Sequence, residues 1–145
     1  MKILVINGPN LNLLGKRDPD KYGRLSLESI EDLMKNTFPE ISFSFFQSNI
    51  EGEIVSKIQE AEMEEFQGLI INPGGYSHTS VAIHDALAEC KFPKVEVHLS
   101  HLAQREEFRQ VMVTAKAVNG YISGFKEIGY LSAVFTIQHL LRNDI

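Results

Sequence analysis

One cysteine, Cys90, is all the thiol this chain of 145 residues carries. No internal disulfide can form, and a reducing, cytoplasmic setting is expected. No basic run appears and the formal net charge is -5, which argues against nucleic acid as a partner. The opening MKILVING has neither the charged segment nor the long apolar stretch of a secretory leader. No apolar run approaches the roughly 20 residues of a membrane span. Repeats, low-complexity tracts and linker-like stretches are also missing, so one domain spanning residues 1–145 is expected. GxGxxG is absent, and nothing after the first apolar run is a Ser/Thr/Gly-rich phosphate loop. Receiver-like signalling would need aspartates where Asn7 and Asn72 stand.

What the chain does have is a regular alternation. Hydrophobic residues make up 43% and charged residues 23%, ordinary for a globular protein. Short β-branched runs at Lys2–Ile6, Ile41–Phe46, Gly68–Ile71 and Lys94–Leu99, with a fifth inside Ala117–Phe125, read as strands. Between them apolar residues recur at helical spacing: Leu27, Ile30, Leu33, Met34 and Phe38 behind a Ser26 cap; Ile54, Val55, Ile58 and Ala61; Ile83, Ala86, Leu87 and Cys90. Tyr130, Val134, Ile137 and Leu141 mark a last helix. Alternating strands and helices predict an α/β fold, a flavodoxin-like, doubly wound five-stranded parallel sheet with helices on both faces.

Three polar clusters follow three of those strands: Asn10, Arg17 and Tyr22 after the first, Asn72 and His78 after the third, His98 and Ser100 at the fourth. Parallel strands deliver them to one sheet edge, where ligands of such folds bind. In the first loop, NGPNLNLLGKRDPDKYG at 7–23, the pairing of Arg17 with Tyr22 matters most. A free phenol keeps its proton until about pH 10. A close guanidinium shifts an acid by about 1–3 units, so Arg17 alone could supply most of what Tyr22 needs to serve as a base near neutral pH. The same residues also suit an ordinary loop tyrosine beside a solvated arginine.

Period-2 geometry puts Glu96 and His98 on one side of their strand. The carboxylate would orient the imidazole and favour its charged form, as a general acid requires; a hydrogen-bonded strand-end histidine is the plainer alternative. His78 precedes the third helix, which Ser77 or Thr79 can cap, and its neighbours Asn72-Pro73-Gly74-Gly75 allow close backbone approach or simply a tight turn. Arg109 can clamp a carboxylate or belong to a solvated charged turn. Cys90 falls on an apolar stripe and reads as core. Glu96, His98 and His101 are close in sequence but match no metal-ligand spacing, so no metal site is expected.

Taken together, these residues resemble the type II 3-dehydroquinate dehydratases. The resemblance is carried by the loop at 7–23, FFQSNIEGEI at 45–54, INPGGYSHTSVAIHDAL at 71–87, EVHLS at 96–100, REEFR at 105–109 and GF…GY at 124–130. It implies cofactor-free dehydration of 3-dehydroquinate to 3-dehydroshikimate in the shikimate route. Tyr22 would be the base, Arg17 would lower its proton affinity and hold a closing loop, and Asn10 with a water would stabilise the enolate. His98 would be the acid, supported by Glu96. Asn72, His78, Arg109 and the Leu99-Ser100 backbone would hold the substrate's hydroxyls and carboxylate. Asp85 would reach a neighbouring subunit's site within a homo-oligomer, a dodecamer of trimers. Two places depart from the family pattern: His101, where asparagine is usual, and Gln110–Thr114. The competing reading from another class is a flavodoxin-like module that binds a nucleotide or anionic ligand.

Overall fold

The computed structural model describes residues 1–143. Its five strands are β1 (Lys2–Asn7), β2 (Ser42–Gln47), β3 (Gly68–Asn72), β4 (Lys94–His98) and β5 (Gly120–Ser123). All pair in parallel, in the order β2-β1-β3-β4-β5. The helices are α1 (Pro19–Tyr22), α2 (Leu27–Thr37), α3 (Glu51–Ala61), α4 (Val81–Glu89) and α5 (Ile128–Asn143). This is the doubly wound, flavodoxin-like arrangement expected from the alternation.

Strand periodicity divides the core in two. Ile3 and Val5 of β1, Ile70 of β3, and Val95 and Val97 of β4 face Ile30 and Met34 of α2 and Ala133, Val134 and Ile137 of α5. Leu4, Ile6, Leu69 and Ile71 face the opposite way, onto Ile54 and Ile58 of α3 and Ile83, Leu87 and Cys90 of α4. Central strands β1 and β3 are covered on both faces, which is why their apolar residues run without alternation. α5 approaches β3 closely because Gly68 has no side chain; a Cβ there would stand 2.6 Å from Ile137 Cγ2.

Ser26 caps α2 as expected, accepting from the Ser29 amide at 3.1 Å. The cap of α4 differs from expectation. It is Ser80, bonded to the Ile83 amide at 2.9 Å, and neither Ser77 nor Thr79. A 3-10 turn over Gly74–His78 delays the helix start and turns Ser77 inward.

Candidate active site

The carboxyl ends of β1, β3 and β4 open onto one pocket, and the three clusters meet there. Asn10, Arg17, Tyr22, Asn72, His78, His98, Leu99, Ser100 and Arg109 all line it, with Arg105 added. Two loops cross tightly at its floor. The Gly8 amide donates to the Asn72 carbonyl at 2.8 Å, and a Cβ on Gly8 would lie 2.6 Å from the Pro73 carbonyl oxygen. Asn10 adopts φ 69°, a left-handed conformation that asparagine tolerates better than most residues. Its amide donates to Asn49 Oδ1 at 3.1 Å, so the loop after β2 sets its position.

Tyr22 ends α1, a single turn begun by Asp18 as cap and Pro19 at the first position. The Arg17 guanidinium lies over the Tyr22 ring at 3.8 Å, and Arg105 approaches the same ring at 5.3 Å. The pair thus meets face-on, in cation–π contact. Arg105 is nearly buried, donates to Ser100 Oγ at 3.2 Å and lies 3.6 Å from Glu106. Arg109 donates through Nε to Glu106 at 2.6 Å, leaving its terminal nitrogens for a ligand. The carboxyl of Glu106 is held below the usual carboxylate range by its own backbone amide and by Arg109.

At β4 the predicted pair forms. His98 Nε2 lies 2.6 Å from Glu96 Oε2, with the two side chains 5% and 0% exposed. Glu96 also accepts from Ser77 Oγ at 2.9 Å and Thr114 Oγ1 at 2.5 Å. With Nε2 committed to the carboxylate, Nδ1 is the ring nitrogen left to exchange a proton. His78 stacks 6.3 Å from His98, centroid to centroid. Burial holds the His78 imidazole below its ordinary range, against the pull of its hydrogen bond to the Val111 carbonyl. That bond, 2.8 Å from Nδ1, leaves a neutral Nε2 free to accept.

Tyr130 of α5 is fully buried beneath the floor. Its hydroxyl donates to Asn7 Oδ1 at 2.5 Å and accepts from Asn72 Nδ2 at 3.1 Å. Burial pushes this phenol up, so it remains a neutral donor. Asn72 Oδ1 accepts from the Gly74 amide at 3.1 Å. One amide hydrogen of Asn72 therefore stays available to the pocket.

The scaffold, the edge and the paired groups can be compared with known proteins. The family model for class II dehydroquinases matches residues 1–138. The chain belongs to the class II dehydroquinases. It is 51% identical over 139 residues to the 3-dehydroquinate dehydratase of Fusobacterium nucleatum, covering 92% of this chain and 94% of that one. With the enzyme of the same name from Clostridium botulinum it shares 50% over 145 residues, covering 98% and 95%. The crystal structure of a type II dehydroquinase from Butyrivibrio crossotus superposes with a TM-score of 0.92 at 45% identity, covering 95% and 97% of the two chains.

Three residues named from the sequence do not line the pocket of this family member, Glu96 because it is buried behind His98. Asp85, on α4, is exposed and pairs with His84 Nδ1 at 2.9 Å. His101 is exposed and lies against Gly124. Among the described residues no helix is long and apolar enough to cross a membrane. Four residues at the site escaped the reading of motifs: Arg105, Ser77, Thr114 and Tyr130. Of these only Arg105 carried a usable signal, its place beside Arg109 in REEFR.

Proposed function

We propose that this chain removes water from 3-dehydroquinate to give 3-dehydroshikimate, as one catalytic unit in the cytoplasm serving the shikimate route. Tyr22, as phenolate, takes a proton from the carbon beside the ketone, and the electron pair moves onto the carbonyl oxygen as an enolate. Asn10, with a water, stabilises that oxyanion. The enolate then collapses and expels the neighbouring hydroxyl, which leaves as water with the proton of His98. Base and acid act from opposite sides of the ring, an anti elimination. Arg17 supplies the positive charge that a phenolate needs, and Glu96 balances the imidazolium. Asn72, Ser100 and the Leu99 backbone hold hydroxyls, and Arg109 clamps the carboxylate. His78, neutral with a free Nε2, suits a hydroxyl partner.

The observation that carries this reading is the meeting in one pocket of a tyrosine whose ring lies against the Arg17 guanidinium and a histidine backed by a buried carboxylate. A proton beside a ketone is weakly acidic, so its removal needs a strong base and a stabilised enolate together. Among the described residues no lysine lines the pocket, which supports elimination without a Schiff base. The test is ultraviolet absorbance on mixing the protein with 3-dehydroquinate, before and after borohydride. A rise that survives borohydride is expected, because the product is a conjugated enone. No rise from folded protein would overturn the reading and favour a binding module.

The same proposal includes assembly as a dodecamer of trimers, with Asp85 completing a neighbour's site. It is supported by the exposed position of Val81 and Asp85, one helical turn apart on α4. Mixing Asp85→Ala subunits with Tyr22→Phe subunits, after dissociation and reassembly, should restore part of the activity that neither variant has alone. Failure of every mixture to regain activity would refute the shared site.

A further inference from the structure

Glu96 lies at 0% exposure with three donors around it and Met112 nearby. The two hydroxyls among those donors, Ser77 and Thr114, come from segments far apart in sequence. A backbone hydrogen bond joins the segments, from the Val113 amide to the Ser77 carbonyl at 2.8 Å. Both hydroxyls are fully buried.

The direction of each proton follows from the distances. Beyond Glu96 Oε2 at 2.9 Å, Ser77 Oγ finds only His98 Nε2 at 3.4 Å, Thr114 Oγ1 at 3.4 Å and Met112 Sδ at 4.0 Å. Thr114 Oγ1 lies 2.5 Å from Glu96 Oε1 and 3.4 Å from Ser77. Both hydroxyl protons therefore settle on the carboxylate, one on each oxygen. With the hydroxyls donating, neither oxygen of Glu96 faces a good acceptor, and the group is matched to its ionised, acceptor-only form. The third contact, His98 Nε2, must then be an N–H donor.

We infer that Ser77 and Thr114 are positioning residues of the reaction, acting through Glu96 to fix which nitrogen of His98 keeps its proton. Two oriented hydroxyls lock the carboxylate as acceptor; the carboxylate locks Nε2–H; Nδ1 is left as the nitrogen that gives up a proton to the leaving hydroxyl. Without the hydroxyls, Glu96 can share the Nε2 proton, and the ring can populate the tautomer with its proton on Nδ1 as a neutral, weaker acid. The inference rests on His98 acting as the acid of the proposed dehydration.

Thr114→Val keeps the side-chain volume and loses the hydroxyl; Thr114→Ser keeps the hydroxyl and loses the methyl. A positioning role predicts that kcat falls about 10- to 100-fold in Thr114→Val and Ser77→Ala with KM nearly unchanged, while Thr114→Ser stays within a few-fold of the parent. A packing role predicts the reverse order, with Thr114→Ser the poorer enzyme. Histidine 15N NMR gives a readout independent of turnover, with the His98 signals identified by their loss in His98→Asn. The parent's neutral ring should carry its proton on Nε2, and the Ser77→Ala/Thr114→Val double variant should gain the Nδ1–H form. Unchanged kcat in Thr114→Val, or the same tautomer in parent and double variant, would overturn the inference. Should the parent fail to form the enone, the dehydration reading falls, and the NMR comparison alone then decides the hydrogen-bond assignment.

Discussion

At the end of β4, Glu96 and His98 are 0% and 4% exposed, and their hydrogen bonds reach into two further segments. At the end of β1, Arg17 and Tyr22 are half-buried and meet through stacked faces on a one-turn helix. One wall of the pocket is thus the end of a sheet strand, and the other is a loop carrying a one-turn helix. The difference matches the demands on each group. In the proposed roles, His98 as acid would gain from rigid donors around it, whereas Tyr22 as base would be delivered by a segment that closes over the substrate.

Breaking the loop side should give the largest effect. Tyr22→Phe removes the proposed base and should lower kcat about 10²–10⁴-fold. Isothermal titration should still detect substrate binding, because the hydroxyl and carboxylate partners remain. Near-parental turnover would move the base role elsewhere.

Breaking the sheet side should cost stability as well as rate. Glu96→Gln replaces one carboxylate oxygen with an NH2 group, so at least one of the hydrogen bonds Glu96 accepts is lost or reversed, and a buried polar group left unmatched costs about 1–3 kcal/mol. Chemical denaturation should show that loss together with a kcat decrease of about 10²-fold. Tyr22→Phe should not lower the denaturation midpoint comparably. Equal destabilisation by the two would erase the contrast between the walls.

Tyr130→Phe sharpens the comparison from beneath. Asn7 Oδ1 and Asn72 Nδ2 would each lose a partner in a fully buried place, at about 1–3 kcal/mol per group. KM should rise more than kcat falls, since the proposed part of Asn72 is to hold a substrate hydroxyl and not to transfer a proton.

The smallest effect concerns His78. Its proton affinity is lowered in the folded chain, chiefly by burial. The unfolded chain therefore binds this proton more readily, and stability from the neutral ring is complete above the ordinary imidazole value of 6.5. It is lost as pH falls through the lower folded value. KM should rise a few-fold as pH drops from about 7.5 to about 5, as Nε2 takes a proton and stops accepting. His78→Gln should flatten that rise, and a profile identical to the parent would remove His78 from hydroxyl binding.

The strands and the edge they share were legible because β1 and β3 are buried on both faces and read as unbroken apolar runs. Glu96 and His98 were legible because period 2 leaves them no choice of side. Ser77 was visible only as a hydroxyl near a helix start, in competition with Thr79, and local preference did not point to Ser80, the residue that caps. Thr114 gave no signal, since its placement depends on three 3-10 turns between β4 and β5. Tyr130 sat on an apolar stripe and read as packing, because spacing along a helix reveals which face is buried and not which polar atom lies beneath it. The one-turn helix α1 was missed, although Asp18-Pro19 is a recognisable start.

Tyr130 also bears on the order in which the molecule becomes an enzyme. During synthesis the segment with Asn7 and Asn10 leaves the ribosome early, yet the hydroxyl that ties Asn7 to Asn72 lies 123 residues further along. An emerging chain that has already paired β1 with β3 still lacks this tie until α5 docks. The substrate recognition proposed for Asn72 would then report on docking of the C-terminal helix, so stalled or clipped chains should be weak binders even where their strands are in place.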